Sequence, residues 1–211
     1  WFRGLQTARW PSGLLELWRD VGALDRWLPE IGKREMGNGK GGTRVIDQLP
    51  PDPVLITSYL SADPVATLTR LRCSNAEIER GRRMAEHREA WPDPVSEAAV
   101  RRWLANVGPA ADDLLNLAEA EGWGDVLVET AGRVARSKAP LSLGDLAITG
   151  NDLLAAGVPK GPAVGETLRA LLDRVLDDPS LNTREKLLEL AARFPVSRSR
   201  FPDSRRKGRR T

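Results

Sequence analysis

Few residues in this chain could do chemistry. The 211 residues include one histidine, His87, and one cysteine, Cys73. A zinc site built from histidine and cysteine, or a cysteine nucleophile with its base, needs several such groups close together. We therefore expect His87 to be a surface histidine and Cys73 to be unreactive, although Cys73 precedes a predicted helix N-terminus, which lowers a thiol pKa. The sequence predicts no metal site and no catalytic residue.

Carboxylates that could hold Mg²⁺ are not arranged for phosphoryl or nucleotidyl transfer. The sequence contains no Asp-x-Asp, a common arrangement for two-metal chemistry. The adjacent pair Asp112 and Asp113 falls at an expected helix start and predicts capping or an interaction with the helix dipole, whereas Asp177 and Asp178 fall at a helix end and are expected to be solvated. The glycines of 37–42 lack the spacing of a phosphate-binding loop, which leaves a flexible loop.

One segment could bind an anion. Residues 158–165 read Val-Pro-Lys-Gly-Pro-Ala-Val-Gly and lead into a helix predicted over 164–176. The first N–H groups of a helix have no internal acceptor and lie at the positive end of its dipole. Gly161 and Gly165 would let another backbone approach, and Lys160 adds a positive charge. Nucleic-acid phosphate is a natural ligand, but spacing alone equally allows a tight interhelical turn.

The elements that must position this segment are helices. Apolar residues recur at helical spacing, and no stretch alternates for long enough to indicate a sheet. Ser74 with Glu77, and Asn182 with Glu185, have the spacing of capping boxes, in which two side chains satisfy free N–H groups at a helix start. The sequence therefore predicts an all-α fold, a compact array of short antiparallel or stacked helices.

Composition divides the chain into three parts. We expect a helical body over 1–136 with an exposed, flexible glycine-rich loop near 32–52, and a helical tail domain over 137–194 that contains the glycine-rich hairpin. Residues 195–211 carry seven basic residues against one acidic residue, which accounts for the net charge of +3. Such a segment is expected to be disordered and either to attract phosphates or to be simply a solvated end.

The chain is unusually rich in tryptophan, with seven residues. Exposed indoles can stack on nucleic-acid bases. However, most of these residues occupy apolar helical positions, so the sequence favours a core role for Trp1, Trp10, Trp18, Trp27, Trp91, Trp103 and Trp123.

The cellular setting is expected to be the cytoplasm. A single cysteine fits a reducing compartment, and no window has the ~18 uninterrupted apolar residues of a membrane span. We therefore expect no membrane partner. The first residue is Trp1, and we expect the chain to be a piece of a longer protein.

A family resemblance is carried mainly by residues 143–168. Its specific elements are Gly150-x-Asp152-Leu153, Gly157-Val158-x-x-Gly161-Pro162-x-x-Gly165 and Asn182. Together they resemble the C-terminal region of bacterial tRNA nucleotidyltransferases, the CCA-adding and poly(A) polymerase family. Residues 22–30 and 71–77 resemble body helices of the same family. The resemblance covers most of 1–194 and is strongest over 141–191.

The resemblance implies the body and tail of a class II enzyme, which hold the elbow and acceptor stem of tRNA. The chain would then be the tRNA-binding helical region of an enzyme that adds CCA to the tRNA 3′ end. We expect the RNA backbone to contact Lys160, Gly161, Gly165, Arg184 and Lys186.

The catalytic parts of the family are not recognisable in this sequence. Family members place a nucleotidyltransferase head, with metal-binding Asp residues, and a nucleotide-selecting neck at the N-terminus. The resemblance therefore implies that Mg²⁺, CTP and ATP act only through that head and neck, and that this chain alone is inactive. Two alternatives stay open: a stand-alone module like a helix-hairpin-helix, binding nucleic acid or protein, and a complete enzyme, which would incorporate nucleotides with Mg²⁺.

Overall fold

A computed structural model describes residues 1–32, 42–122 and 124–194, and every regular element in these ranges is helical. The predicted all-α fold is confirmed. The α-helices are α1 Phe2–Thr7, α2 Pro11–Asp20, α3 Ala23–Trp27, α4 Pro29–Gly32, α5 Pro53–Leu60, α6 Pro64–Arg70, α7 Asn75–His87, α8 Glu97–Val107, α9 Ala111–Ala120, α10 Asp125–Arg136, α11 Gly150–Ala155, α12 Pro162–Asp177 and α13 Arg184–Arg193. Short 3₁₀ helices cover Gly42–Asp47, Gly108–Ala110, Leu143–Asp145 and Pro179–Leu181. The predicted basic tail lies outside the described residues.

The chain forms two compact units, Trp1–Ala139 and a second that begins at Pro140. Each has its own hydrophobic core. Within the described ranges, no helix combines the length and the apolar character needed to cross a membrane.

Helix α5 is the central element of the first unit. Seven of its eight residues are buried, and it packs against α1, α6 and α7. A helix that is apolar on all sides must lie inside the core. Its start is fixed by Asp52, which accepts hydrogen bonds from the N–H groups of Val54 at 2.9 Å and Leu55 at 3.1 Å.

The capping box predicted at the start of α7 is confirmed. The Ser74 hydroxyl accepts from the N–H of Glu77 at 3.3 Å, and the Glu77 carboxylate accepts from the N–H of Ser74 at 2.7 Å. The bonds from the Ser74 hydroxyl and N–H favour the ionised carboxylate and lower the pKa of Glu77.

The exposed loop predicted near 32–52 is wrong for its second half. Residues Gly42–Asp47 form a 3₁₀ helix, and Val45, Ile46 and Leu49 are buried in the first core. Asp47 attaches this segment to α2 by accepting from the N–H and hydroxyl of Ser12 at 2.9 and 2.5 Å. The three apolar side chains determine the packing of this segment. Residues 33–41 lie outside the described ranges.

The core role predicted for the tryptophans is wrong for two of them. Four described tryptophans do belong to the first core or pack against it: Trp1, Trp18, Trp91 and Trp103. Trp10 and Trp27 instead are 60% and 66% exposed. Trp10 precedes the first turn of α2 and Trp27 ends α3, so neither lies on a buried helix face. Trp123 is not among the described residues.

The helix-dipole role predicted for Asp112 and Asp113 does not include a partly buried ion network around Asp113. Both residues lie in the first turn of α9, but Asp113 is 3% exposed. Its carboxylate accepts two hydrogen bonds from the Arg80 guanidinium, at 2.6 and 2.5 Å. Arg80 also donates to Asp52 at 2.8 Å, and its pKa is raised, mainly by the bond to Asp113. One arginine therefore joins α7, α9 and the start of α5.

The second unit is a three-helix arrangement around α12. Leu171 and Val175 of α12 are buried together with Leu153 of α11 and Leu187 of α13. Both α11 and α13 pack against α12. This core orients the N-terminus of α12, where the candidate interface lies.

Candidate nucleic-acid interface

Two glycines shape the turn that connects α11 to α12. Gly157 has φ +93° and Gly161 has φ +127°, backbone conformations that L-residues with a side chain rarely adopt. A Cβ at either position would meet nothing within 4 Å. Their conformations, and not close packing, require glycine at both positions.

The N-terminus of α12 is open. Lys160 and Gly161 are exposed, and no side chain caps the first turn. In contrast, at the start of α13 the Thr183 hydroxyl accepts from the N–H of Lys186. Pro162 has no N–H, and the N–H of Val164 donates to the carbonyl of Gly161 at 3.2 Å. Among the first-turn amides, that of Ala163 therefore keeps its donor capacity at the positive end of the helix dipole.

Gly165 has no role inside the fold. A Cβ there would lie 3.9 Å from Nη1 of Arg169 and would meet nothing else within 4 Å. Its φ is not in the left-handed region, and glycine inside a helix costs about 0.5–1 kcal/mol relative to alanine. Neither conformation nor packing accounts for glycine here, so the open surface is available to a ligand.

Gly150 is the opposite case. A Cβ at this position would lie 3.1 Å from Cγ1 of Val164. The close approach of α11 to the start of α12 therefore favours glycine at 150. No such close contact is found at Gly165.

The capping box predicted from Asn182 and Glu185 is wrong. Thr183 is the N-cap of α13 and accepts from the N–H of Lys186 at 3.4 Å. The Asn182 side chain accepts from the N–H of Ala147 at 2.8 Å and donates to the carbonyl of Asp145 at 2.9 Å. Because its amide binds a loop 35 positions away, it does not cap the helix that follows.

The five predicted contact residues do not form one cluster. Lys160, Gly161 and Gly165 lie together at the start of α12. Arg184 is paired with Asp152 at the start of α11. Helix α11 is about 9 Å long, and its other end leads into the turn at Gly157, so this pair lies at the opposite end of α11 from that turn. Lys186 donates to the carbonyl of Ser180 at 2.8 Å. Both of these cations therefore have partners within the unit.

Arg169 is a residue that the sequence reasoning missed. Its side chain is exposed, lies beside Gly165, and forms no ion pair within the described residues. Side chains of a helix lean toward its N-terminus, so position i+4 covers position i. The four-residue spacing from Gly165 to Arg169 is a signal that could have identified it.

Asp152 holds the start of α11 together. Its carboxylate accepts from the N–H and hydroxyl of Thr149, both at 2.8 Å, and pairs with Arg184. The bond from Arg184, followed by those from Thr149, lowers the pKa of Asp152 from 3.8 to about 2. Because this folded-state value is depressed, the interaction stabilises the unit above pH 3.8 and is lost as the pH falls toward 2.

We predict that Arg184→Ala raises the pKa of Asp152, because its strongest ionic partner is removed. Carboxyl ¹³C NMR titration of Asp152 measures this directly. Arg193→Ala, which removes an exposed pair with Glu189 on α13, is the control and should leave the Asp152 titration unchanged. An unshifted Asp152 titration in Arg184→Ala would contradict the pairing.

The remaining candidate groups are the His, Cys, Asp and Glu side chains, with Cys73 and His87 among them. Among residues 1–32, 42–122 and 124–194 no three His, Cys, Asp or Glu side chains are grouped to hold a metal ion. Burial, together with the nearby charge of Glu77, raises the pKa of Cys73. His87 lies in the last turn of α7 and is partly buried.

Part of the chain matches a known protein family. Residues 137–191 match the family model of tRNA nucleotidyltransferase domain 2. Searches of curated proteins and of solved structures gave no match. The matched range includes α11, α12 and most of α13, and residues 22–30 and 71–77 lie outside it. The second unit thus carries a match to a tRNA nucleotidyltransferase domain, which confirms the resemblance over 137–191.

Proposed function

We propose that this chain is the tRNA-binding helical region of a CCA-adding tRNA nucleotidyltransferase. In this role the second unit holds the elbow and acceptor stem of tRNA, so that the 3′ end reaches a centre that adds nucleotides from CTP and ATP. The family match over 137–191 supports a tRNA partner in general. The stand-alone module is not favoured by this match.

The observation that carries the proposal is the open surface at Lys160 and Gly165. Within the matched segment, Gly150, Gly161 and Asn182 each have a role in packing, backbone conformation or loop attachment. Gly165 has none, and Lys160 forms no ion pair within the described residues. A residue that costs helix stability without serving the fold is best explained by a ligand.

The chemistry of this surface suits the backbone of folded RNA. The deep, narrow major groove of A-form RNA hides the base edges, so proteins recognise its shape, its phosphates and its 2′-hydroxyls. The N–H of Ala163 in α12 and the charges of Lys160 and Arg169 can bind phosphate oxygens without reading sequence. Such contacts contribute to catalysis by positioning the reacting end of the tRNA.

The reacting groups of the proposed enzyme belong to a catalytic head and neck outside residues 1–211. The sequence contains no Asp-x-Asp, and two-metal nucleotidyl transfer requires carboxylates that converge on Mg²⁺. In this proposal Mg²⁺, CTP and ATP bind to those parts, and the chain alone does not incorporate nucleotides.

Binding of folded tRNA and of a DNA duplex of similar length, each followed by fluorescence anisotropy at matched salt, tests the proposal. We expect the chain to bind tRNA several-fold more tightly than the duplex. Phosphate attraction alone would favour both ligands, so a preference for tRNA requires recognition of its folded shape. Equal affinity for the two ligands would contradict the proposal and favour a stand-alone nucleic-acid module.

A further inference from the structure

Helix α2 has an apolar seam that faces away from its own unit. Trp10, Leu17 and Val21 are 60%, 57% and 67% exposed, and the partly buried Leu14 lies between them. Trp10 and Val21 are the N-cap and C-cap residues of α2. Spacings of four, three and four residues place all four side chains on one helix face, over about 16 Å. A contiguous apolar surface of this kind marks an interaction site.

Space beside the seam allows a second helix to approach. Gly13 lies next to the seam, and a Cβ at this position would meet nothing within 4 Å. The unit itself therefore makes no use of the missing side chain, although glycine weakens the helix. A helix packed on the seam could come close to the α2 backbone at Gly13.

The charges along one flank of the seam have opposite signs at its two ends. Arg9 lies just before Trp10, the N-cap residue of α2, and its guanidinium is 5.6 Å from the ring centre of Trp10 at that end of the seam. Glu16 and Asp20 share one side of the helical wheel toward the C-terminus. None of the three forms an ion pair within the described part of the chain. This flank complements itself when a second α2 runs antiparallel to the first.

Nucleic acid fits this face less well. The two carboxylates repel phosphate, and Leu17 and Val21 have no ring on which a base can stack. Aliphatic side chains in a helical seam are typical of helix packing.

We propose that two copies of this chain associate through the α2 seam, with the two α2 helices antiparallel. Around a two-fold axis every contact occurs twice, so Arg9 of each copy lies beside Asp20 of the other. The seam contains four apolar residues, and we therefore expect a weak dimer whose population rises with concentration.

Sedimentation equilibrium of the full chain, without RNA, tests the dimer. We expect the average mass to rise from one copy toward two between roughly 1 and 100 µM, the range of a weak interface. Leu17→Glu should keep the chain at the mass of one copy. Val126→Glu is the control, since it introduces the same charge at a 62% exposed site on α10, and it should dimerise as the unchanged chain does. Far-UV circular dichroism confirms that both variants fold.

Charge reversal tests the antiparallel arrangement. Arg9→Asp and Asp20→Arg should each weaken the dimer about tenfold, because each creates two like-charge contacts. The double variant should recover most of the loss, since it restores the pairs with their signs exchanged. A single-copy mass at 100 µM, no recovery in the double variant, or equal effects of Leu17→Glu and Val126→Glu would overturn the proposal. The proposal would also be overturned if Leu17→Glu weakened tRNA binding but had the same average mass as the unchanged chain, because the seam would then contact RNA and not a second copy.

Discussion

Arg80→Ala should lower the free energy of unfolding of the first unit by about 3 kcal/mol, the low end for breaking a buried ion pair. The loss arises because the carboxylate of Asp113, which is 3% exposed, loses both hydrogen bonds from the guanidinium. Asp52 loses a partner as well. Although burial opposes ionisation of Asp52, the Leu55 N–H and Arg80 outweigh it and lower its pKa. Urea unfolding followed by circular dichroism measures the change.

Arg82→Ala is the matched control for this prediction. Arg82 lies on the same helix as Arg80, and its side chain is 41% exposed and paired with Glu79 and Glu86 on the surface. Surface pairs contribute little, so we expect a change below about 0.5 kcal/mol. If the two variants lost the same stability, the network around Asp113 would not be the buried connection between α7 and α9 that the structure indicates.

Lys160→Glu should weaken tRNA binding about tenfold, because a cation that contacts phosphate becomes an anion at the same place. A phosphate contact also contributes about one to the salt dependence of binding, so the slope of log affinity against log salt should become shallower by about one. Fluorescence anisotropy at several salt concentrations measures both quantities.

Two further variants separate a specific contact from general charge. Lys138→Glu makes the same charge change at an exposed lysine of the first unit and should alter tRNA affinity by less than about twofold. Gly165→Ala should weaken tRNA binding while raising the thermal midpoint slightly, because a methyl group favours the helix and occupies the open surface. Equal losses of tRNA affinity in Lys160→Glu and Lys138→Glu would contradict a specific contact between Lys160 and tRNA.

Local features of the fold were predictable from sequence. Ser74 and Glu77 are three positions apart and form the predicted capping box, because such a box depends on its own helix turn alone. The same holds for helical spacing, which gave the all-α fold. These features require no knowledge of the rest of the chain.

Contacts between distant residues were not predictable. Arg80 and Asp113 are 33 positions apart, and nothing in the local sequence pairs them. Asn182 binds Ala147, 35 positions away, so a pattern typical of a cap serves a loop instead. Val45 and Ile46 enter the core despite their glycine-rich surroundings.

The candidate interface also has a part that was predictable from sequence and a part that was not. Lys160, Gly161 and Gly165 are close in sequence, and their common position at the start of α12 followed from the pattern. Arg184 lies 32 positions from Asp152, and its pairing with that carboxylate emerged from the packing of α13 near α11. The local sequence therefore predicted which residues lie together at the start of α12. It could not show which cations already pair with other residues of the unit.

The most direct measurement is the mapping of backbone amide shifts by ¹H–¹⁵N NMR while folded tRNA is added to the full chain. If the first turn of α12 holds the RNA backbone, the amides of Lys160, Gly161, Ala163, Val164, Gly165 and Arg169 shift or broaden first; Pro162 has no amide proton. Binding that leaves these amides unchanged and perturbs others would contradict the account.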